Sequence, residues 1–201
     1  MAVSLLLLLV LSLMACSTKG AESFIGGTVY LTIFQPAGLS YDHITFEVQL
    51  ANNAVQQSTA PVLSGERLPT AIPPRPRAIS SPNNVYVASV EVKTPQSFGY
   101  PHDVFLVKAL KTQETIYETK FLDEEIHSIV WSPRSDAVAV LTSSQHYSLS
   151  PKYWFRAISG HPKPVEEYRL EIVNVKTHSN RGIDIPYQSS AGFGEIRAWL
   201  E

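Results

Sequence analysis

Cysteine is almost missing from this chain. The single one, Cys16, stands near the N-terminus. No intramolecular disulfide can form, and thiol catalysis and cysteine-ligated zinc are excluded for everything after it. Packing alone has to hold the fold. An excess of charge of one sign is missing too: 16 Lys and Arg against 18 Asp and Glu leave a net charge of −2. Such a chain has no basic field to draw nucleic acid, which is not expected as a partner. Helical periodicity is absent after residue 20, where apolar residues alternate or form short β-branched runs broken by Gly, Pro, Asn and Ser.

Chemistry-bearing motifs are scarce as well. There is no Gly-x-Ser-x-Gly elbow, His-Glu-x-x-His helix, phosphate loop or dinucleotide fingerprint. The six histidines (His43, His102, His127, His146, His161, His178) offer no i, i+2 or i+4 pair to grip a metal and read as solvated loop residues. Gly192-Phe193-Gly194 reads as a turn. Asp123-Glu124-Glu125 reads as a solvated turn without the alternating oxygen ligands of a calcium loop. No catalytic residue, metal or cofactor is assigned.

What the chain does have begins with an apolar leader. Met1 to Ala15 carries no charged side chain and is too short for a bilayer-spanning helix of about 20 residues. It matches the apolar region of a signal peptide. The run ends in Leu13-Met14-Ala15-Cys16, which resembles the lipobox of bacterial lipoproteins: a large aliphatic residue three before the cysteine, a small one just before it. The resemblance implies a signal peptide over 1–15, a diacylglyceryl thioether on Cys16, cleavage before it, and acylation of the new amino group. Two or three acyl chains give a stable anchor where one is marginal. Ser17 is not the aspartate that retains such proteins in an inner membrane, so the implied place is the outer membrane, facing the periplasm. An ordinary secretory signal with an incidental Cys16, or a buried Cys ending a core helix, are the alternatives.

Beyond the leader, 44% hydrophobic residues suffice for a core in one domain. Residues 16–60 hold the anchor and a β-hairpin, with strands Thr28–Phe34 and His43–Leu50 around a turn at Gln35–Asp42. Residues 61–76 form a connector whose prolines, Pro61, Pro69, Pro73, Pro74 and Pro76, oppose ladder hydrogen bonding. Residues 77–201 contain an internal repeat. Ser81-Pro82 lines up with Ser132-Pro133, Lys111-Thr112 with Lys176-Thr177, and Ile126–Trp131 with Gly194–Trp199.

Trp131-Ser132-Pro133 and its apolar sequel resemble the WD40-like propeller repeats of bacterial envelope proteins, such as the periplasmic propeller of the Tol system. The resemblance covers about residues 77–199 and speaks to fold rather than activity. It implies an all-β protein: antiparallel four-stranded blades of a partial (incomplete) β-propeller, plus the N-terminal β-hairpin. Ala137–Leu141, apolar on both faces, suits an inner strand; Thr115–Phe121 alternates as an outer strand should. Propellers close with about 4–8 blades, and this sequence offers two and a hairpin that could join a third. An open sheet stack, a ring completed by other chains, and a truncated relic all remain. Exposed blade faces predict self-association or an N-terminal segment folded over one face.

On this assignment the loops between second and third strands share one face. Lys93 to His102 carries Phe98, Tyr100 and His102; the longer Ser144 to Glu167 carries Tyr153, Trp154, Phe155, Arg156 and His161. Aromatic and Arg side chains anchor binding surfaces, so these eight are the candidate partner-binding residues; the alternative is that the rings plug the open end of the stack. The expected function is a lipid-anchored, non-enzymatic binding or scaffolding module of the cell envelope, with membrane contact through Cys16 and a protein partner. A hydrolase-type enzyme completed by a partner and a diverged remnant with only a structural role are the other classes. Mass spectrometry of membrane-extracted protein is expected to find an acylated N-terminal Cys16; an unmodified start elsewhere refutes the anchor.

Overall fold

Apolar residues spaced by two, between turn residues, form strands because successive side chains point to opposite faces. The computed structural model describes residues 25–37, 40–58, 78–93, 102–121, 124–146, 165–189 and 192–201. The expected signal peptide, Cys16 and the 61–76 connector lie outside these residues. Among the described residues are twelve strands and no helix: β1 (Thr28–Ala37), β2 (Ser40–Gln49), β3 (Ala54–Gln57), β4 (Ala78–Ser80), β5 (Tyr86–Lys93), β6 (His102–Ala109), β7 (Thr115–Phe121), β8 (Glu124–Trp131), β9 (Ala137–His146), β10 (Val165–Asn174), β11 (Ser179–Ser189) and β12 (Phe193–Leu200). They make three antiparallel four-stranded sheets: sheet I in the order β12-β1-β2-β3, sheet II β4-β5-β6-β7 and sheet III β8-β9-β10-β11. None closes into a barrel. The chain is all-β and built of blade-like sheets, as the repeat predicts.

The repeat is visible in the hydrogen bonds of its turns. Asn84 N–H donates to Ser81 O, and Ser135 N–H to Ser132 O, both at 2.9 Å. Each is the i to i+3 bond of a β-turn, and Pro82 and Pro133 occupy the i+1 position, where a fixed φ is favourable. Each serine hydroxyl then accepts the N–H that opens the next strand, Tyr86 at 2.9 Å and Ala137 at 3.1 Å. Ser80 pairs with Val87 and Trp131 with Val138, so the aligned residues hold the same place in sheets II and III. The Lys-Thr pairs mark a second shared turn, closed by Gln113 and His178 at φ of 59° and 55°. Sheet I has its counterpart at Asn53, φ 57°, which the repeat alignment does not reveal.

The N-terminal hairpin is not a separate appendage. β12, the aligned partner of β8, leaves the repeat region and pairs with β1 through Trp199↔Val29 and Phe34↔Phe193. Thus β1, β2 and β3 complete a third blade. The hairpin is also longer than expected. Pairing runs on through Pro36↔Tyr41 to Ala37↔Ser40, so Gln35–Ala37 and Ser40–Asp42 are strand, not turn. Pro36 is tolerated because β12 begins at Phe193, opposite Phe34. Past that point β1 has a neighbour on one side only, as strand prolines require.

Sheet III is the middle layer. Ala137, Ala139 and Leu141 of β9 pack with Val29, Leu31 and Ile33 of sheet I. Val138 and Val140 pack with Phe105, Val107 and Phe121 of sheet II. The Trp131 indole crosses to sheet II, stacking on Tyr86 with centroids 6.1 Å apart and donating to Ile79 O at 2.9 Å. On the sheet I side, a Cβ at Gly194 would collide with Leu141 Cδ2. Glycine there is what lets the two sheets approach.

The outward faces are not the bare apolar surfaces expected of open blades. On sheet II, Val104 and Leu106 point away from the core, yet they are 0% and 3% exposed. Lys93 of β5 reaches Glu118 of β7 at 3.2 Å, and β6 lies between those strands, so the pair passes above it. Lys108 holds Glu91 at 3.0 Å. Exposed pairs of this kind add only about 0–1 kcal/mol; their aliphatic stems cover the apolar residues beneath. On sheet I, Arg197 pairs with Glu195 at 3.2 Å and lies over Phe34, which stacks on Phe193 at 4.7 Å.

Gly194→Ala is expected to destabilise the protein by about 1–3 kcal/mol, the usual cost of overpacking. Adding Leu141→Ala should recover part of the loss, and urea titration of the single and double variants measures the coupling. Simple additivity would contradict the seam described.

Candidate functional site

Three strand connections leave the stack at one edge. Asn83 N–H donates to Ser135 Oγ at 3.1 Å, so the Ser-Pro turns touch and β5 and β9 run away from the same end. Arg134 of that turn region binds Glu201, just past β12, at 2.8 Å, and β1 starts opposite Leu200. The second strands β1, β5 and β9 therefore all finish at the opposite edge, where the connections 38–39, 94–101 and 147–164 emerge. β9 and β10 are longer than expected and pair as far as Val165↔His146, which shortens the second candidate loop.

Of the candidate partner-binding residues, His102 opens β6 opposite Lys93, at the root of its loop. Phe98, Tyr100, Tyr153, Trp154, Phe155, Arg156 and His161 lie outside the described residues. What the structure does describe is the floor of this edge, formed by sheet III, and its two faces differ.

The face toward sheet I carries a closed polar network. Glu166 is 7% exposed and accepts four donors: Tyr168 O–H at 2.9 Å, Gly192 N–H at 2.9 Å, Gln145 Nε2–H at 3.1 Å and Ser189 O–H at 3.3 Å. Burial pushes the Tyr168 phenol well above its usual range, keeping it a donor. A buried donor left without an acceptor costs about 1–3 kcal/mol, so Glu166 is a clamp between β10 and the entry to β12. The Gly192 turn serves the same clamp, since a Cβ there would crowd Tyr168 Oη and Phe34 O. Nearby, Ser143 Oγ lies 2.7 Å from His127 Nε2, a spacing at which a base can activate a hydroxyl. Ser143 is 3% exposed, and the Tyr168 ring sits 5.7 Å from the imidazole, so a substrate carbonyl has no approach. His127 is a half-buried strand residue rather than the solvated loop residue expected.

The face toward sheet II opens into a cleft of about 670 Å³, lined among others by Glu124, Thr142, Ser144, Glu167, Arg169 and Asp184. Arg169 Nε donates to Glu171 Oε1 at 2.7 Å, and Asp184 stands 3.7 Å from its Nη1. Its guanidinium lies on Gly182, where any Cβ would collide with it. Glu171 is buried; loss of hydration raises its carboxyl above the ordinary value near 4.5, opposed by Arg169 and reinforced by Glu124. Glu124 Oε2 and Glu171 Oε2 are buried without a hydrogen-bond partner. Glu124 thus opens a strand in the cleft wall, whereas the sequence reads as a solvated turn. Among the described residues no group of His, Cys, Asp and Glu could hold a metal ion.

Of these cleft residues the sequence reading singles out Glu124 alone, and only as part of a solvated turn. Their one signal is charge in an interior strand: Glu166, Glu167, Arg169 and Glu171 punctuate β10, while its counterpart β6 is mostly apolar. Comparison with protein-family models and with curated proteins finds no match to this chain.

Burial makes Glu171 a pH-dependent element. Its carboxyl is raised in the folded state, so its contribution is fully present below about 4.5 and is lost as pH rises through the folded value. Glu171→Gln keeps an acceptor for Arg169 but cannot ionise. Relative to that variant, the native protein should be less stable at pH 7 than at pH 4 in urea titrations. A difference that does not change with pH would refute the burial effect.

Proposed function

We propose that this protein is a lipid-anchored envelope protein that acts as a non-enzymatic binding module through its loop edge. The observation that carries the reading is the convergence of three strand connections on one edge, above a solvent-facing cleft. The two longer connections contain Phe98, Tyr100, Tyr153, Trp154, Phe155, Arg156 and His161, with His102 at the root of the first, residue types that anchor partners. Burial of Ser143 favours binding over hydrolysis there.

The position of the tether agrees with this use. The described chain begins at Ile25, beside Trp199, whose Nε1–H donates to Gly26 O at 3.4 Å. This is the Ser-Pro-turn edge, opposite the loops. Cys16 precedes Ile25 by nine residues, at most about 30 Å of extended chain. A membrane anchor at Cys16 keeps the turn edge near the bilayer and presents the loop edge to the periplasm. The charged covering of sheet II argues against ring completion by a further apolar blade on that side, and so for a partner at the loops.

Crosslinking in the native envelope, with identification of the captured protein, tests the reading. Replacing Trp154 and Phe155 with alanine should lower capture at least about tenfold, as loss of hot-spot rings does, and leave the thermal unfolding transition in place. Unfolding of the variant would make the rings core and end the proposal.

A further inference from the structure

We propose that the cleft on the sheet II side of β10 seats a basic side chain of the partner polypeptide, its ammonium or guanidinium group against Glu124, with Glu167 and Asp184 at the rim. This deepens the binding role proposed above and rests on it.

Three observations point to a cation rather than an anion. The described lining holds three carboxylates, Glu124, Glu167 and Asp184, against one guanidinium, Arg169. That guanidinium is already engaged: Glu171 takes its Nε–H, and Gly182 lies beneath its plane. An anion would therefore meet the carboxylates of Glu124 and Asp184 and a guanidinium whose charge Glu171 already compensates. Second, Glu124 Oε2 in the cleft wall is a buried acceptor without a donor. Two positions from Arg169 on the same face of β10, Glu171, with a side chain only 8% exposed, has a second such acceptor. Buried carboxylate oxygens are normally satisfied; an N–H-bearing cation supplies what is missing at Glu124 and offsets the charge felt by both. Third, a metal ion does not fit, because among the described residues no carboxylate or imidazole group has the geometry to hold one.

Size and lining agree. A cleft of about 670 Å³ exceeds a bare ammonium and accommodates a Lys or Arg side chain with its flanking backbone. Pro186, exposed at the cleft wall, provides apolar surface for the aliphatic stem.

The test uses the full chain in detergent and isothermal titration with a tetra-lysine peptide, a tetra-glutamate peptide and spermidine. Tetra-lysine should bind, weaken with added salt, and lose at least about tenfold in affinity in Glu124→Gln, as removal of a hydrogen bond to a charged group does. Asp184→Asn, at a side chain 86% exposed, should give a smaller loss without touching the fold, and serves if Glu124→Gln does not fold. Equal binding of tetra-glutamate, or tetra-lysine binding indifferent to both substitutions, overturns the proposal. Spermidine binding more tightly than the peptide overturns the assignment to a polypeptide. A partner crosslinked at the loop edge whose capture ignores Glu124→Gln and Asp184→Asn removes the cationic seat and leaves the binding role standing; absence of any partner at that edge removes both.

Discussion

Burial of one sheet on both faces is the constraint from which the rest of the structure follows. Every residue of β9 from Ala137 to Ser143 is buried, with odd positions against sheet I and even positions against sheet II. A buried aliphatic side chain contributes about 1.5–3 kcal/mol, whereas the exposed ion pairs on the outer faces contribute about 0–1 kcal/mol each. The two seams, not the surface charges, hold the stack together. They also dictate small residues where backbones come close: Ala137 and Ala139 within β9, and Gly194 opposite Leu141.

The loop edge is where this constraint relaxes and polar groups enter sheet III. On one face the low-dielectric seam is closed by Glu166, whose four donors leave it no capacity for chemistry. On the other face two carboxylate oxygens, Glu124 Oε2 and Glu171 Oε2, stay unsatisfied. A strand continuous through both environments must place charges at alternate residues on opposite faces, which is why Glu166 and Glu167 are neighbours with unlike roles. The first joins sheets; the second lines a cleft.

At the outer faces the same physics has to end rather than repeat. A further blade would demand another apolar surface, and instead Lys93 and Glu118 bridge over Val104 and Leu106 while Arg197 covers Phe34. Long side chains with apolar stems and charged tips close a layer at little energetic gain. An incomplete propeller can persist without a sticky flank by this means.

Alternation and turn chemistry made much of the fold legible. The Ser-Pro pairs name a β-turn because Pro presets φ and Ser caps the next strand, and the aligned positions 81 and 132 occupy equivalent turns. The apolar run at Ala137–Leu141 marked a strand covered twice. Pairing between distant segments was not legible: nothing local in Phe193–Leu200 says that its partner is β1, because backbone hydrogen bonds carry no sequence. Nor was the cleft, since Glu124, Arg169, Glu171 and Asp184 come from three strands and meet only when those strands pair. Local propensity and periodicity, then, determined that this chain forms strands, where they turn and which of them are interior. Only tertiary packing decided that the third blade is assembled from both ends of the chain and that buried carboxylates gather at one edge, because both depend on contacts between residues far apart in sequence.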